Sequence, residues 1–224
     1  EHQENIQGVK AADPSRTDHY KDTLERCSQL RGGKLFFPYL GSGMGKGALV
    51  ELANGSVKYD LICGIGPNYF GHSHPDLLFA SIDAAVSDVI MQGNLQQNTD
   101  SVDLLEILLK ESGMDHCFLT TSGAMACENA LKIIFQHSCP AQRVIAFEKC
   151  FMGRTLTLSQ ITDKPGFRQG LPSNLHVDYV PFYDPLLSEE ENINRTLKAV
   201  QEHISRYPDQ HAAMVFELVQ GEAG

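Results

Sequence analysis

Apolar positions along the chain change their rhythm several times, and each change marks an element. After His74-Pro75, the residues Leu78, Ile82, Ala85, Val86 and Val89 recur at spacings of three and four. This is the stripe of an amphipathic helix, with Pro75 near its start, where a missing amide costs nothing. Val102, Leu105, Leu108 and Leu109 place a second helix over about Asp100 to Lys110. Two short apolar runs, Cys117-Phe118-Leu119 and Val144-Ile145-Ala146-Phe147, bracket a helical segment from Ala124 to His137. Leu156 to Ile161 holds a helical turn or two, Val177 to Phe182 is extended, and Ala212 to Phe216 closes as a buried strand. Between these last two, Ser188 and Glu191 form a capping box for a helix carrying Ile193, Leu197, Val200 and Ile204.

The first 75 residues differ in character. Glu1 to about Arg31 is polar and reads as an arm or a lone helix around His19 to Leu30. From Lys34 to Ser73 glycine is frequent, and Asn54-Gly55, a strong hairpin signal, separates β-like pieces at Ala48 to Ala53 and Ser56 to Ile62. A hairpin followed by a glycine-rich loop is expected. Short buried strands alternating with longer helices over the remainder point to an α/β layer fold with a mostly parallel sheet. The final Gln220-Gly221-Glu222-Ala223-Gly224 follows directly on a strand. A doubly wound sheet rarely stops there, so further chain is expected beyond Gly224.

Composition narrows the function. A hydrophobic share of 42% over 224 residues supplies a real core, enough for one large domain or two small ones. A formal net charge of -10 repels polyanions, so nucleic acid is not an expected partner. No apolar run is long enough to span a membrane, and the opening Glu1-His2-Gln3-Glu4-Asn5 lacks the layout of a signal peptide. The six cysteines are scattered without a C-x-x-C pair, which fits a reducing, cytoplasmic setting. His72-Ser73-His74 has no cysteine or carboxylate partner at zinc-like spacing, and no metal is expected.

Three segments carry candidate chemistry, each expected just past a strand. Thr120-Thr121-Ser122-Gly123-Ala124 opens a helix, where free amides and the helix dipole favour an anion such as a phosphate. The same residues also suit an ordinary serine cap with a glycine for the turn. Phe151-Met152-Gly153-Arg154-Thr155 offers a ring to stack on a flat cofactor and an arginine to clamp a carboxylate; a plain turn with a surface arginine is the alternative. Glu217-Leu218-Val219-Gln220-Gly221-Glu222 brings two carboxylates to the same edge, where they would bind an amine or simply be solvated.

In order and spacing, these segments are similar to class III aminotransferases, the group that holds acetylornithine, ornithine and related ω-amino transaminases. The match covers about Gly47 to Gly224. Asn54-Gly55 with Tyr59-Asp60 resembles the family's D-x-x-G-x-x-Y-x-D hairpin, with Leu52 in place of the first Asp. Gly71-His72-Ser73-His74-Pro75 resembles its G-H-x-H-P turn, and the run from Ser122 to Lys132 resembles its S-G-x-x-A-x-E-x-A-x-K segment. Phe151 to Thr155 and Glu217 to Gly224 follow in the family's order. Met152 stands where the family usually has His or Trp, and Leu218 where it has Pro. Ile65 replaces a Tyr common in ornithine transaminases, leaning towards an acetylornithine-like or lysine-like substrate.

The resemblance implies a fold-type-I transferase that uses pyridoxal 5'-phosphate. Residues 1–75 would form an N-terminal arm and a segment of the small domain, and residues 76–224 the first half of the large α/β domain. Ser122, Gly123 and Ala124 would take the cofactor's phosphate, Phe151 would stack on its ring, and Glu217 would lie near it. Arg154 would hold a substrate carboxylate, and Glu222 would pair with a distant arginine. The implied reaction moves an amino group from an amino acid to a 2-oxo acid such as 2-oxoglutarate, in a homodimer. The family's Schiff-base lysine and pyridinium-pairing aspartate are expected beyond Gly224, so no catalytic residue is assigned here; Lys132 occupies a helix position of the motif instead. The alternatives are an aminomutase or decarboxylase on the same scaffold, or a truncated, non-catalytic fragment that binds cofactor or another subunit. A nucleotide-binding domain lacks its G-x-G-x-x-G after a strand.

Overall fold

The computed structural model of the chain describes residues 3–88 and 95–223. The chain divides into two compact units, Glu1–Asn98 and Thr99–Gly224.

The first unit begins with α1 (Thr17–Arg31), which ends on Gly32 in the left-handed conformation. Its buried Tyr20 donates to the Pro38 carbonyl and accepts from the Leu40 amide, both at 2.9 Å, tying the helix to the segment that leads into the sheet. That sheet is antiparallel in the order β1 (Gly41–Lys46), β2 (Leu49–Leu52), β3 (Val57–Tyr59). The Asn54-Gly55 hairpin forms as expected, with Gly55 at φ 78. The added strand β1 was not expected, because Gly41, Gly43 and Gly45 carry no β propensity; backbone pairing with β2 supplies its order.

Asp60 organises the turn that follows. Its carboxylate accepts from the Ile62 and Cys63 amides at 2.9 Å and meets His72 Nε2 at 2.8 Å. His72 in turn bridges Gly47 through both backbone groups. Gly71, at φ 88, has no room for a side chain there, since a Cβ would lie 3.0 Å from the Gly47 Cα. His72 is thus a structural anchor. Among the described residues no group of three or more His, Cys, Asp or Glu side chains is arranged to hold a metal ion. α2 (Pro75–Val86) follows, starting on Pro75 as the pattern predicts. Its stripe residues Leu78, Ile82 and Val86 are exposed, and Val89 lies outside the described residues.

In the second unit, α3 (Thr99–Ser112) and α4 (Gly123–His137) precede a parallel sheet in the order β5 (His176–Val180), β4 (Arg143–Phe147), β6 (His211–Val215). Two short helices, α5 (Leu158–Ile161) and α6 (Pro165–Arg168), lie between β4 and β5. α7 (Glu189–Arg206) joins β5 to β6 and opens with the expected Ser188/Glu191 capping box. The core packs Leu131 of α4, Val144 and Ala146 of β4, Cys150, and Leu158 and Ile161 of α5. Ile145 is also buried and, by strand alternation, faces the other side of the sheet, as expected of a central parallel strand.

Two sequence expectations need correction. Cys117-Phe118-Leu119 is not in a strand: it has no ladder partner among the described residues, and Phe118 is exposed. The Thr120 to Ala124 segment therefore follows an irregular stretch. The extended run at Val177 ends at Val180, because Pro181 has no amide to continue the ladder.

At the end where the strands begin, Arg143 makes a two-pronged ion pair with Asp178 at 2.7 and 2.6 Å. His211 Nε2 reaches the same carboxylate at 2.8 Å, and the Arg143 guanidinium lies 3.6 Å from the Tyr207 ring centre. The bonds from Arg143 hold the Asp178 carboxyl down at about 2, against the opposing effect of burial. No helix among the described residues is long and apolar enough to cross a membrane.

Candidate functional site

α4 starts where the sequence places its cap. The Ser122 backbone is extended, its hydroxyl accepts from the Met125 amide at 3.2 Å, and its carbonyl accepts from the Ala126 amide at 3.0 Å. Thr120 donates to that same carbonyl. With the Ser122 oxygens engaged, the Gly123 and Ala124 amides are left without an acceptor among the described residues. Nothing lies within 4 Å of where a Gly123 Cβ would be. A 15-residue helix thus presents two unpaired amides and the positive end of its dipole to open space, an arrangement that favours a dianion.

That space is a cavity of about 630 Å3, lined by Gly123, Ala124, Phe151, Arg154 and Glu217, together with Cys127, Cys150, Met152 and residues at the end of β6. Five of the seven residues singled out from sequence therefore line one cavity. Arg154 is the one cation among the lining residues and Glu217 the one carboxylate. Arg154 has no ion-pair or hydrogen-bond partner among the described residues, so its guanidinium is available to a ligand. Burial raises the Cys127 thiol above its ordinary value and pushes Cys150 up to about 11. Both line the cavity as small apolar groups rather than as nucleophiles.

The first part of the loop after β4 owes its shape to bonds made by its main chain at positions 151 to 153. Glu217 Oε2 accepts the Phe151 amide at 3.0 Å, drawing the ends of β4 and β6 together. The fully buried Thr162 hydroxyl accepts from the Met152 and Gly153 amides at 3.0 and 3.2 Å and donates to the Gly153 carbonyl at 2.8 Å. Thr155 donates to Glu128 of α4 and accepts the Leu158 amide. Phe151 packs edge-on against Phe167, ring centres 6.4 Å apart.

The two remaining candidates lie apart from the cavity wall. Ser122 acts through its cap, and Glu222 is paired with Lys164. Sequence reasoning overlooked Thr162, Lys164 and the Glu128–Thr155 contact. Glu128 stands inside the quoted helix motif, but nothing there points to a residue 27 positions away.

A helix start with two unpaired amides, a ring and an unpaired arginine on one cavity narrow the choice of family, and the family profile described as Aminotransferase class-III matches residues 39–224. The chain belongs to the class III aminotransferases. It is 32% identical over 186 residues to the acetylornithine aminotransferase of Methanocaldococcus jannaschii, covering 80% of this chain and 43% of that protein. It is 30% identical over 222 residues to that of Methanosarcina acetivorans, covering 99% of this chain and 51% of that protein. The chain spans about half the length of the curated relatives it matches. Among solved structures, the ornithine aminotransferase from Toxoplasma gondii ME49 has a TM-score of 0.75 at 23% identity, over 96% of this chain and 50% of that one. The lysine aminotransferase from M. tuberculosis has a TM-score of 0.74 at 20% identity, over 90% of this chain and 53% of that one. The α/β architecture expected from the alternation of short strands and longer helices matches that of these aminotransferase structures, here with part of a parallel sheet.

Proposed function

We propose that the intact protein is a transaminase dependent on pyridoxal 5'-phosphate, taking an amino group from an acetylornithine-, ornithine- or lysine-like donor and giving it to a 2-oxo acid such as 2-oxoglutarate. The observation that carries this reading is the convergence on one cavity of two unpaired helix amides, an aromatic ring and an unpaired arginine. The residues fit the cofactor: Gly123 leaves the helix start open to a phosphate, and the mostly apolar walls suit a flat ring. When bound, pyridoxal phosphate supplies the electron sink that lets a bond at the donor's amine-bearing carbon break and its nitrogen be carried to the acceptor.

This chain's own residues bind and orient. The Gly123 and Ala124 amides, under the dipole of α4, take the phosphate, while Ser122 holds the helix start in shape. Phe151 offers its ring to the cofactor, at a height set by the Glu217 bond to its amide. Arg154 clamps a substrate carboxylate with its planar fork. Cys127, Cys150 and Ile161 keep water from the inner wall. The covalent lysine and the aspartate for the ring nitrogen are assigned to sequence beyond Gly224, where Glu222 would also find its arginine. We assign residues 1–75 to the arm and small domain, residues 76–224 to the large domain, and the intact enzyme to a cytoplasmic homodimer.

The test is borohydride reduction of the full-length protein with pyridoxal phosphate, read by intact mass, followed by an assay for glutamate formed from 2-oxoglutarate. One reduced adduct per chain and glutamate release are expected. No specific adduct would overturn the cofactor assignment; an adduct without glutamate would point to a decarboxylase or mutase.

A further inference from the structure

The cavity has two binding elements on separate pieces of chain, and one side-chain contact registers them. The anion-binding amides belong to α4, whereas Arg154 belongs to the loop after β4. Glu128, five residues along α4 from Gly123, accepts a hydrogen bond from the Thr155 hydroxyl. Thr155 directly follows Arg154, and the same hydroxyl accepts the Leu158 amide at 3.1 Å. A carboxylate only accepts, so the hydroxyl proton goes to Glu128 and a lone pair is left for Leu158. Both partners are half-buried, which favours one geometry over a set of solvated ones. On the other side of Arg154, Gly153 is held through both its backbone groups by Thr162. The arginine is therefore clamped at each flank, and the Thr155 flank leads to the anion site.

We propose that Glu128, acting through Thr155, is a positioning residue that sets the distance between Arg154 and the Gly123 and Ala124 amides. It thereby fixes where a substrate carboxylate lies relative to a bound phosphate. The proposal rests on the reading of Arg154 as the carboxylate-binding group.

The test uses the full-length protein without cofactor and measures binding of glutarate and, separately, of inorganic phosphate by calorimetry. Thr155→Val and Glu128→Ala are each expected to weaken glutarate about tenfold, as for a lost hydrogen bond to a charged group. The double variant is expected to be no worse than Thr155→Val alone, because that change already removes the contact with Glu128 as well as the bond to the Leu158 amide. Thr155→Ser, which keeps the hydroxyl, is expected to bind within about twofold of the parent protein, and phosphate affinity to stay level throughout. Equal loss of phosphate and glutarate binding, no rescue by serine, or losses that multiply in the double variant would each overturn the proposal. Arg154→Met separates it from the reading beneath it: if that change leaves glutarate affinity intact, Arg154 is not the carboxylate site and both ideas fall. If it abolishes binding while Thr155→Val and Glu128→Ala do nothing, only the positioning role is lost.

Discussion

Replacing Gly153 by alanine adds a methyl group whose place is dictated by the backbone. At φ +143 the new Cβ would lie 2.7 Å from Leu158 Cδ1 and 3.2 Å from Leu158 Cβ, inside the 3.4 Å of ordinary contact. Leu158 is fully buried in the core with Leu131, Val144 and Ile161, so turning away would disturb that packing. Overpacking of this kind costs about 1–3 kcal/mol, and an L side chain at so positive a φ adds about 1–3 kcal/mol. Allowing for partial relaxation, a loss of about 2–4 kcal/mol is expected. Urea unfolding of the full-length protein without cofactor, followed by circular dichroism, is the assay; a slope of about 2 kcal/mol per molar turns this loss into a midpoint drop of about 1–2 M. Gly123→Ala is the matched control, since nothing lies within 4 Å of its added Cβ. Its first-turn position accepts alanine, and a stability gain of up to about 1 kcal/mol is expected. A Gly153→Ala midpoint equal to that of the parent protein would refute the claim that this loop is seated by direct contact with Leu158.

Further outcomes follow from the same contacts. Thr162→Val keeps the shape of a buried side chain but strands two amides and a carbonyl, so a loss of about 2–3 kcal/mol is expected in the same urea assay. Asp178 is held at about 2, below its ordinary 3.8, so its contribution of about 2 kcal/mol is present above pH 4 and lost as pH falls towards 2. Acid titration of stability should show this fall, and Asp178→Asn, which leaves the part-buried Arg143 guanidinium without its carboxylate, should flatten it while costing about 2–3 kcal/mol at pH 7. With its thiol pushed up to about 11 and buried, Cys150 should resist iodoacetamide at pH 8 until the protein is denatured, as peptide mass mapping would show.

Local signals in the sequence locate the elements that frame the site. The Ser122 cap, the Ser188/Glu191 box, the Asn54-Gly55 turn and the apolar run of β4 each depend on residues a few positions apart, and all form as read. What the sequence conceals is long in separation or lacks side-chain signal. The glycine strand β1 owes its order to β2, and Thr162, ten residues from Met152, looks like any polar residue in a turn. The Lys164–Glu222 pair spans 58 positions. Convergence of Gly123, Phe151, Arg154 and Glu217 could be inferred only by assuming one sheet edge; the cavity shows them together. Several apolar residues at helical spacing, including Ile82 of α2 and Leu197 of α7, are exposed in this chain. A helical period reveals that a face is apolar, not what covers it.

The manner in which the loop after β4 is tethered bears on how such a site could be redesigned. Thr162 and Glu217 grip it by main-chain groups at positions 151 to 153, and the grip is indifferent to which side chain stands at 152. Met152 lines the cavity and also packs against the core cluster, so a library of apolar side chains of similar size at this position would repaint the cavity wall while the main-chain grip and that packing stay as they are.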